Sequence, residues 1–119
     1  MKRFFIFAAV FALIAGCASK PRFKCCSSQN VTLLDGSVLL DVRTQKEYDE
    51  KHLEGAVLLP HDQISTRIAD VVPDKNTLIY IYCGSGRRAD IARKTLSALG
   101  YRNHHNLCGI LAAEKALGK

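Results

Sequence analysis

From residue 38 onward, short uninterrupted apolar runs alternate with polar stretches that carry hydrophobic residues at helical spacing. Val38, Leu39 and Leu40 form the first run, and such a run predicts a strand covered on both faces, with Asp41 at its carboxyl end. Thr44 then suits the cap of a short helix from Gln45 to about Glu50, because Glu47 three residues on completes a capping-box pattern. After a turn at His52 to Gly55, Ala56 to Leu59 predicts a second strand, stopped by Pro60. Asp62 opens a helical pattern that puts Ile64, Ile68 and Val71 on one face, and Pro73, Asp74 and Asn76 break it. Thr77 to Tyr82 is the strongest strand signal, a continuous β-branched, aromatic and aliphatic run. The chain from about Arg87 to Leu99 predicts a helix with Ile91, Thr95, Leu96 and Leu99 toward the core and Gly100 as its stop. A strand near His105 to Leu107 and a helix from Leu111 complete the series. Strands separated by helices imply an α/β fold, a small parallel sheet flanked by helices on both faces. Ligands of such sheets bind at the carboxyl ends of the strands.

The N-terminus follows a different logic. Lys2 and Arg3 precede an uncharged apolar run from Phe4 to Ala15, shorter than the ~20 residues that span a bilayer and typical of an export signal. It ends in Leu13, Ile14, Ala15, Gly16 and Cys17, which resembles the lipobox of bacterial lipoproteins. That resemblance implies a signal peptide over residues 1–16 and lipidation at Cys17. It further implies anchoring to a membrane on the periplasmic side, at the outer membrane in a cell with two. Residues 17–30 are polar and aperiodic and read as a lipidated tether, leaving residues 31–119 as one domain.

Composition narrows the function classes. With 48% hydrophobic and 24% charged residues the 119-residue chain is an ordinary globular sequence. Its formal net charge of +6 favours anionic partners, but Lys2 and Arg3 belong to the expected leader, and no basic stripe interleaved with aromatics suggests nucleic acid. The domain is read as a monomer. The cysteines show no paired spacing of a zinc site. Cys25 and Cys26 are adjacent in the tether, where an oxidising compartment could act on them, and Cys108 is assigned to packing at a strand end rather than to resolving a persulfide. His52, His61, His104 and His105 read as surface or turn residues, and Arg43 with Glu47 as a structural pair on the first helix.

Cys83 carries the chemistry. It follows the most apolar strand and leads through Gly84, Ser85, Gly86, Arg87 and Arg88 into a helix. Glycines allow successive N–H groups to face one concavity, and the helix start adds partial positive charge, so this turn suits an anion or a thiolate. Attack on phosphorus, arsenic or sulfur is compatible with that cradle. Cysteine phosphatases resemble one another in holding phosphate with an arginine six residues after the cysteine, and here that position is Ala89.

The six-residue loop from Cys83 to Arg88 instead resembles the active-site loop of rhodaneses. Leu39 to Arg43 with Glu47 and Tyr48, His52 to Pro60, Gly100 with Tyr101, and Asn106 to Gly109 resemble that family's other segments in order. The chain departs from the family's pattern by having Ile110 after Gly109 and no tryptophan. The resemblance implies a sulfurtransferase without metal or organic cofactor. Cys83 would take sulfur from a small anionic donor such as thiosulfate and pass it to a thiol or cyanide. Gly84, Ser85, Gly86, Arg87 and Arg88 would bind the donor, and Asp41 would bond to the loop or to an arginine, or serve as a buried ion-pair partner. Alternatives are a persulfide carrier that docks on a partner, or a cysteine phosphatase or arsenate reductase.

Overall fold

The computed structural model describes residues 30–119; the expected leader, Cys17 and the Cys25–Cys26 pair lie outside the described residues. Four strands, β1 (Val38–Asp41), β2 (Val57–Leu58), β3 (Ile79–Cys83) and β4 (His104–Gly109), form an all-parallel sheet in the order β2-β1-β3-β4. The helices are α1 (Gln45–Glu50), α2 (Ile64–Val71), α3 (Arg87–Ala98) and α4 (Ile110–Ala116), with a 3-10 turn at His61–Gln63 ahead of α2. This is the expected α/β arrangement, with element limits displaced by one or two residues.

Period-two alternation divides the core between the two faces of the sheet. Leu40, Ile79, Ile81 and Cys83 pack with Ile64, Ile68, Ala89, Ala92 and Leu96 on the α2 and α3 side. Leu39, Tyr80, Tyr82 and Leu107 pack with Leu53 and Ala113 on the other, joined by Tyr48 of α1 and Ile110 of α4. The connection from β1 leads through α1 to β2 on one flank, and that from β3 leads through α3 to β4 on the other. The two paths therefore diverge at the carboxyl ends of β1 and β3, the crevice where open parallel sheets bind their ligands.

A buried ion pair occupies the β1 side of that crevice. Asp41 is fully buried and Arg43 nearly so. Arg43 Nε and Nη2 donate to the Asp41 carboxylate at 2.9 and 2.7 Å, and the Arg43 backbone N–H adds a bond of 3.0 Å. Tyr82 Oη donates to Asp41 Oδ2 at 2.8 Å and accepts the Leu53 N–H at 3.0 Å. Burial, above all, pushes the Tyr82 phenol well above its usual range, so it remains a donor to the carboxylate. The expected pairing of Arg43 with Glu47 is not formed. The turn after β1 directs the Arg43 side chain back over Asp41, and Glu47 faces elsewhere.

Helix α3 meets its expectation in part. Leu96 is buried and Leu99 packs half-buried against the core as expected, but Ile91 is 45% exposed, Thr95 is half-buried, and Ala89 and Ala92 complete the buried face. The small alanines let α3 lie close against the sheet beside the β3 turn, and that proximity sets the helix's rotation more strongly than the larger side chain of Ile91.

Candidate active site

β3 ends at Cys83, and the following turn through Gly84, Ser85 and Gly86 enters α3 at Arg87. Gly86 caps the helix with φ of 93°, a left-handed conformation that glycine adopts without a Cβ clash. In that conformation its N–H donates to Cys83 Sγ at 2.8 Å. The sulfur thus accepts a main-chain bond at the start of a twelve-residue helix, whose partial positive charge favours an anion there. Cys83 is a free thiol with zero exposed surface, whereas Gly84 and Ser85 above it are exposed.

The two arginines separate into different settings. Arg88 Nη1 and Nη2 donate to Glu47 Oε2 and Oε1 at 2.8 and 2.9 Å, a bidentate clasp between α3 and α1. Its guanidinium lies against the turn, for a Cβ built on Gly84 would lie 3.0 Å from Arg88 Nη2. Glu47 also accepts from the Thr44 N–H at 3.0 Å while Thr44 Oγ1 caps the Glu47 N–H, the capping box expected from the sequence. The bonds from Arg88, then from the Thr44 backbone, hold the Glu47 carboxyl far below the usual carboxylate range. Arg87 is exposed and lines an open depression with Ser85, Asp90, Ile91 and Lys94.

The β4 side closes the turn. Pairing between β3 and β4 shifts register between Ile81 and Cys83, so that Cys83 lies opposite Gly109. A Cβ on Gly109 would collide with the Gly84 carbonyl oxygen. The glycine is therefore required by close approach of two backbones, and helix α4 begins directly at Ile110 in spite of the missing second glycine. Asn106 Nδ2 donates to the Gly86 carbonyl at 3.0 Å and Asn106 Oδ1 accepts the Cys108 N–H at 2.7 Å. Cys108 is disulfide-bonded, which corrects its assignment to packing alone and leaves it no thiolate with which to resolve a persulfide.

Of the candidate residues, Cys83, Gly84, Ser85, Gly86 and Arg88 are thus gathered in one turn, Arg87 stands at its mouth, and Asp41 is committed to Arg43 and Tyr82. Ala89, where a phosphatase ring would need its arginine, is fully buried in the core. His104 lies on the flank of α3, with Nε2 2.7 Å from Ser97 Oγ.

Residues 28–113 match the family model described as the rhodanese-like domain. The chain belongs to this family. A thiosulfate sulfurtransferase, PspE of Escherichia coli, is 38% identical over 60% of the chain and 68% of its own length. A putative sulfur carrier protein of Bacillus subtilis, YrkF, is 35% identical over 58% of the chain but only 36% of its own length. Among solved structures, a rhodanese with anions from E. coli is 36% identical and superposes with a TM-score of 0.62 over 64% of this chain and 89% of its own. A rhodanese-like domain of the Anabaena Alr3790 protein, 31% identical, superposes with a TM-score of 0.62 over 72% of this chain and 86% of its own. The rhodanese-like assignment thus rests on both sequence and fold.

The two contacts around the turn generate separate expectations. Gly109→Ala forces the β4 end away from Gly84 and should cost about 1–3 kcal/mol, measured by urea unfolding. Because Glu47 is shifted downward on folding, its contribution is fully present above the ordinary carboxylate value of about 4.3 and is lost as pH falls below it. The melting-temperature gap between the wild type and Glu47→Gln should accordingly be widest near neutrality and shrink below about pH 4. A gap that grows in acid excludes the ion pair as its source.

Proposed function

We propose that this rhodanese-like domain is a sulfurtransferase that carries sulfane sulfur from thiosulfate or a similar donor to a thiophilic acceptor, through a persulfide on Cys83. The observation that carries the reading is the Gly86 N–H directed at Cys83 Sγ where the glycine turn meets α3. The Cys83 thiolate attacks the outer sulfur of thiosulfate, a new S–S bond forms, and the donor's own S–S bond breaks with its electron pair leaving on sulfite. Cyanide or a thiolate then takes the outer sulfur, and the electron pair of the breaking bond returns to Cys83 as thiolate. The balance needs no redox co-reactant.

Main-chain donors from Gly84 to Arg88 hold the negative charge of the persulfide, with Gly86 already aimed at the sulfur. Arg87, exposed beside Ser85, draws in the dianionic donor, while Arg88 is engaged by Glu47 and keeps the turn against α1. Since Cys83 is fully buried, the site must open for donor and acceptor to reach the sulfur. Asp41 supports the crevice from beneath through Arg43 and Tyr82 rather than by binding donor.

A second reading, a persulfide carrier that turns over slowly alone, draws on the zero exposure of Cys83 and on the similarity to a putative sulfur carrier protein. For the full chain supplied with thiosulfate and cyanide, the enzyme reading expects steady thiocyanate formation, abolished in Cys83→Ser. Activity that survives this substitution overturns it. Stable gain of one sulfur by intact mass with negligible turnover selects the carrier. Arsenate reductase or phosphatase chemistry is disfavoured because Ala89 is buried where the ring would need an arginine.

The same reading takes the domain to its substrate as a monomer anchored by lipid on Cys17 after removal of residues 1–16, facing the periplasm. In cells fed an alkyne-tagged fatty acid, the wild type should be labelled and Cys17→Ser should not. Equal labelling of the two excludes this anchor.

A further inference from the structure

Gly86 is a junction of several contacts, and one of them comes from outside its own turn and helix. Its N–H donates to Cys83 Sγ at 2.8 Å, and its carbonyl accepts from the Asp90 N–H at 3.0 Å, an intrahelical bond of α3. The same carbonyl accepts from Asn106 Nδ2 at 3.0 Å. The other end of the Asn106 amide accepts the Cys108 N–H at 2.7 Å, where β4 takes φ of 75°. We infer that Asn106 is a positioning residue of the sulfur-transfer site, tying Gly86 to the end of β4 so that the Gly86 N–H stays aimed at Cys83. This rests on the persulfide reading given above.

Four features carry the inference. Glycine at positive φ has the widest torsional freedom of any residue, so the aim of its N–H depends on what holds the rest of the residue. The Asp90 bond holds Gly86 only to its own helix, whereas Asn106 refers it to the sheet, the rigid part of the site. A single amide serves both ends at once, its Nδ2 donating to the Gly86 carbonyl and its Oδ1 accepting the Cys108 N–H. Asparagine is also a poor strand residue, and a side chain that contradicts its local element while bonded to the active turn marks a place where local preference yields to the site.

The test uses the full chain as wild type, Asn106→Ala and Asn106→Asp. Asn106→Ala removes both bonds; Asn106→Asp keeps an acceptor for Cys108 and loses the donor to Gly86. For transfer from thiosulfate to cyanide, both variants should lower kcat about tenfold with KM changed less than about twofold. Alkylation of Cys83 at neutral pH, followed on its peptide by mass spectrometry, should slow to a similar degree. The Gly86 amide proton, drawn downfield by its bond to sulfur, should move upfield in the NMR spectrum. Variants that only melt earlier, with kcat, alkylation rate and Gly86 resonance unchanged, overturn the proposal. Should Asn106→Ala fail to fold, an unmoved Gly86 resonance in Asn106→Asp overturns it alone. A wild type that never transfers or holds sulfur refutes the persulfide reading instead, a result distinct from the Gly86 resonance, which reports the positioning by itself.

Discussion

The bond from the Gly86 N–H to Cys83 Sγ is the constraint around which the rest of the domain is arranged. A thiol at the end of a buried strand is ordinarily inert packing. Here a left-handed glycine turns the chain back so that an amide and the start of α3 both address the sulfur. That geometry demands close approach from several directions. β4 contributes a register shift and a glycine that touches the Gly84 carbonyl, Asn106 braces the Gly86 carbonyl, and Ala89 and Ala92 let α3 lie tight against the sheet. At Gly109 the approach is so close that any Cβ would meet the Gly84 carbonyl oxygen.

Charge is organised around the same point in two tiers. Below, Asp41, Arg43 and Tyr82 form a buried, mutually satisfied group at the β1 end, which leaves no uncompensated charge in the crevice floor. Above, Glu47 neutralises Arg88 beside the turn, and Arg87 keeps its charge toward solvent. An incoming dianion therefore meets an exposed cation, Arg87, ahead of a buried sulfur.

Membership of the rhodanese-like family and the similarity to both a sulfurtransferase and a putative sulfur carrier fit one architecture with two uses. Both proposed uses draw on the turn that follows Cys83. The clasp between Glu47 and Arg88 and the brace from Asn106 both act on that turn.

Much of this was legible in residue order alone. Strand and helix order, the parallel sheet, the Thr44 capping box and the turn after Cys83 all follow from local pattern, since hydrophobic periodicity, capping chemistry and glycine placement act over a few residues. The tertiary structure alone decided which partners meet. Glu47 pairs with Arg88, 41 positions away, rather than with the nearby Arg43, because the charges offered by the sequence had several compatible matches and only the fold that brings α1 beside α3 chose among them. The rotation of α3, which exposes Ile91, the collision that demands Gly109 and the reach of Asn106 to Gly86 likewise arise from distances between elements. Such distances are set by packing, and the pattern of polar and apolar positions along a chain does not encode them one residue at a time.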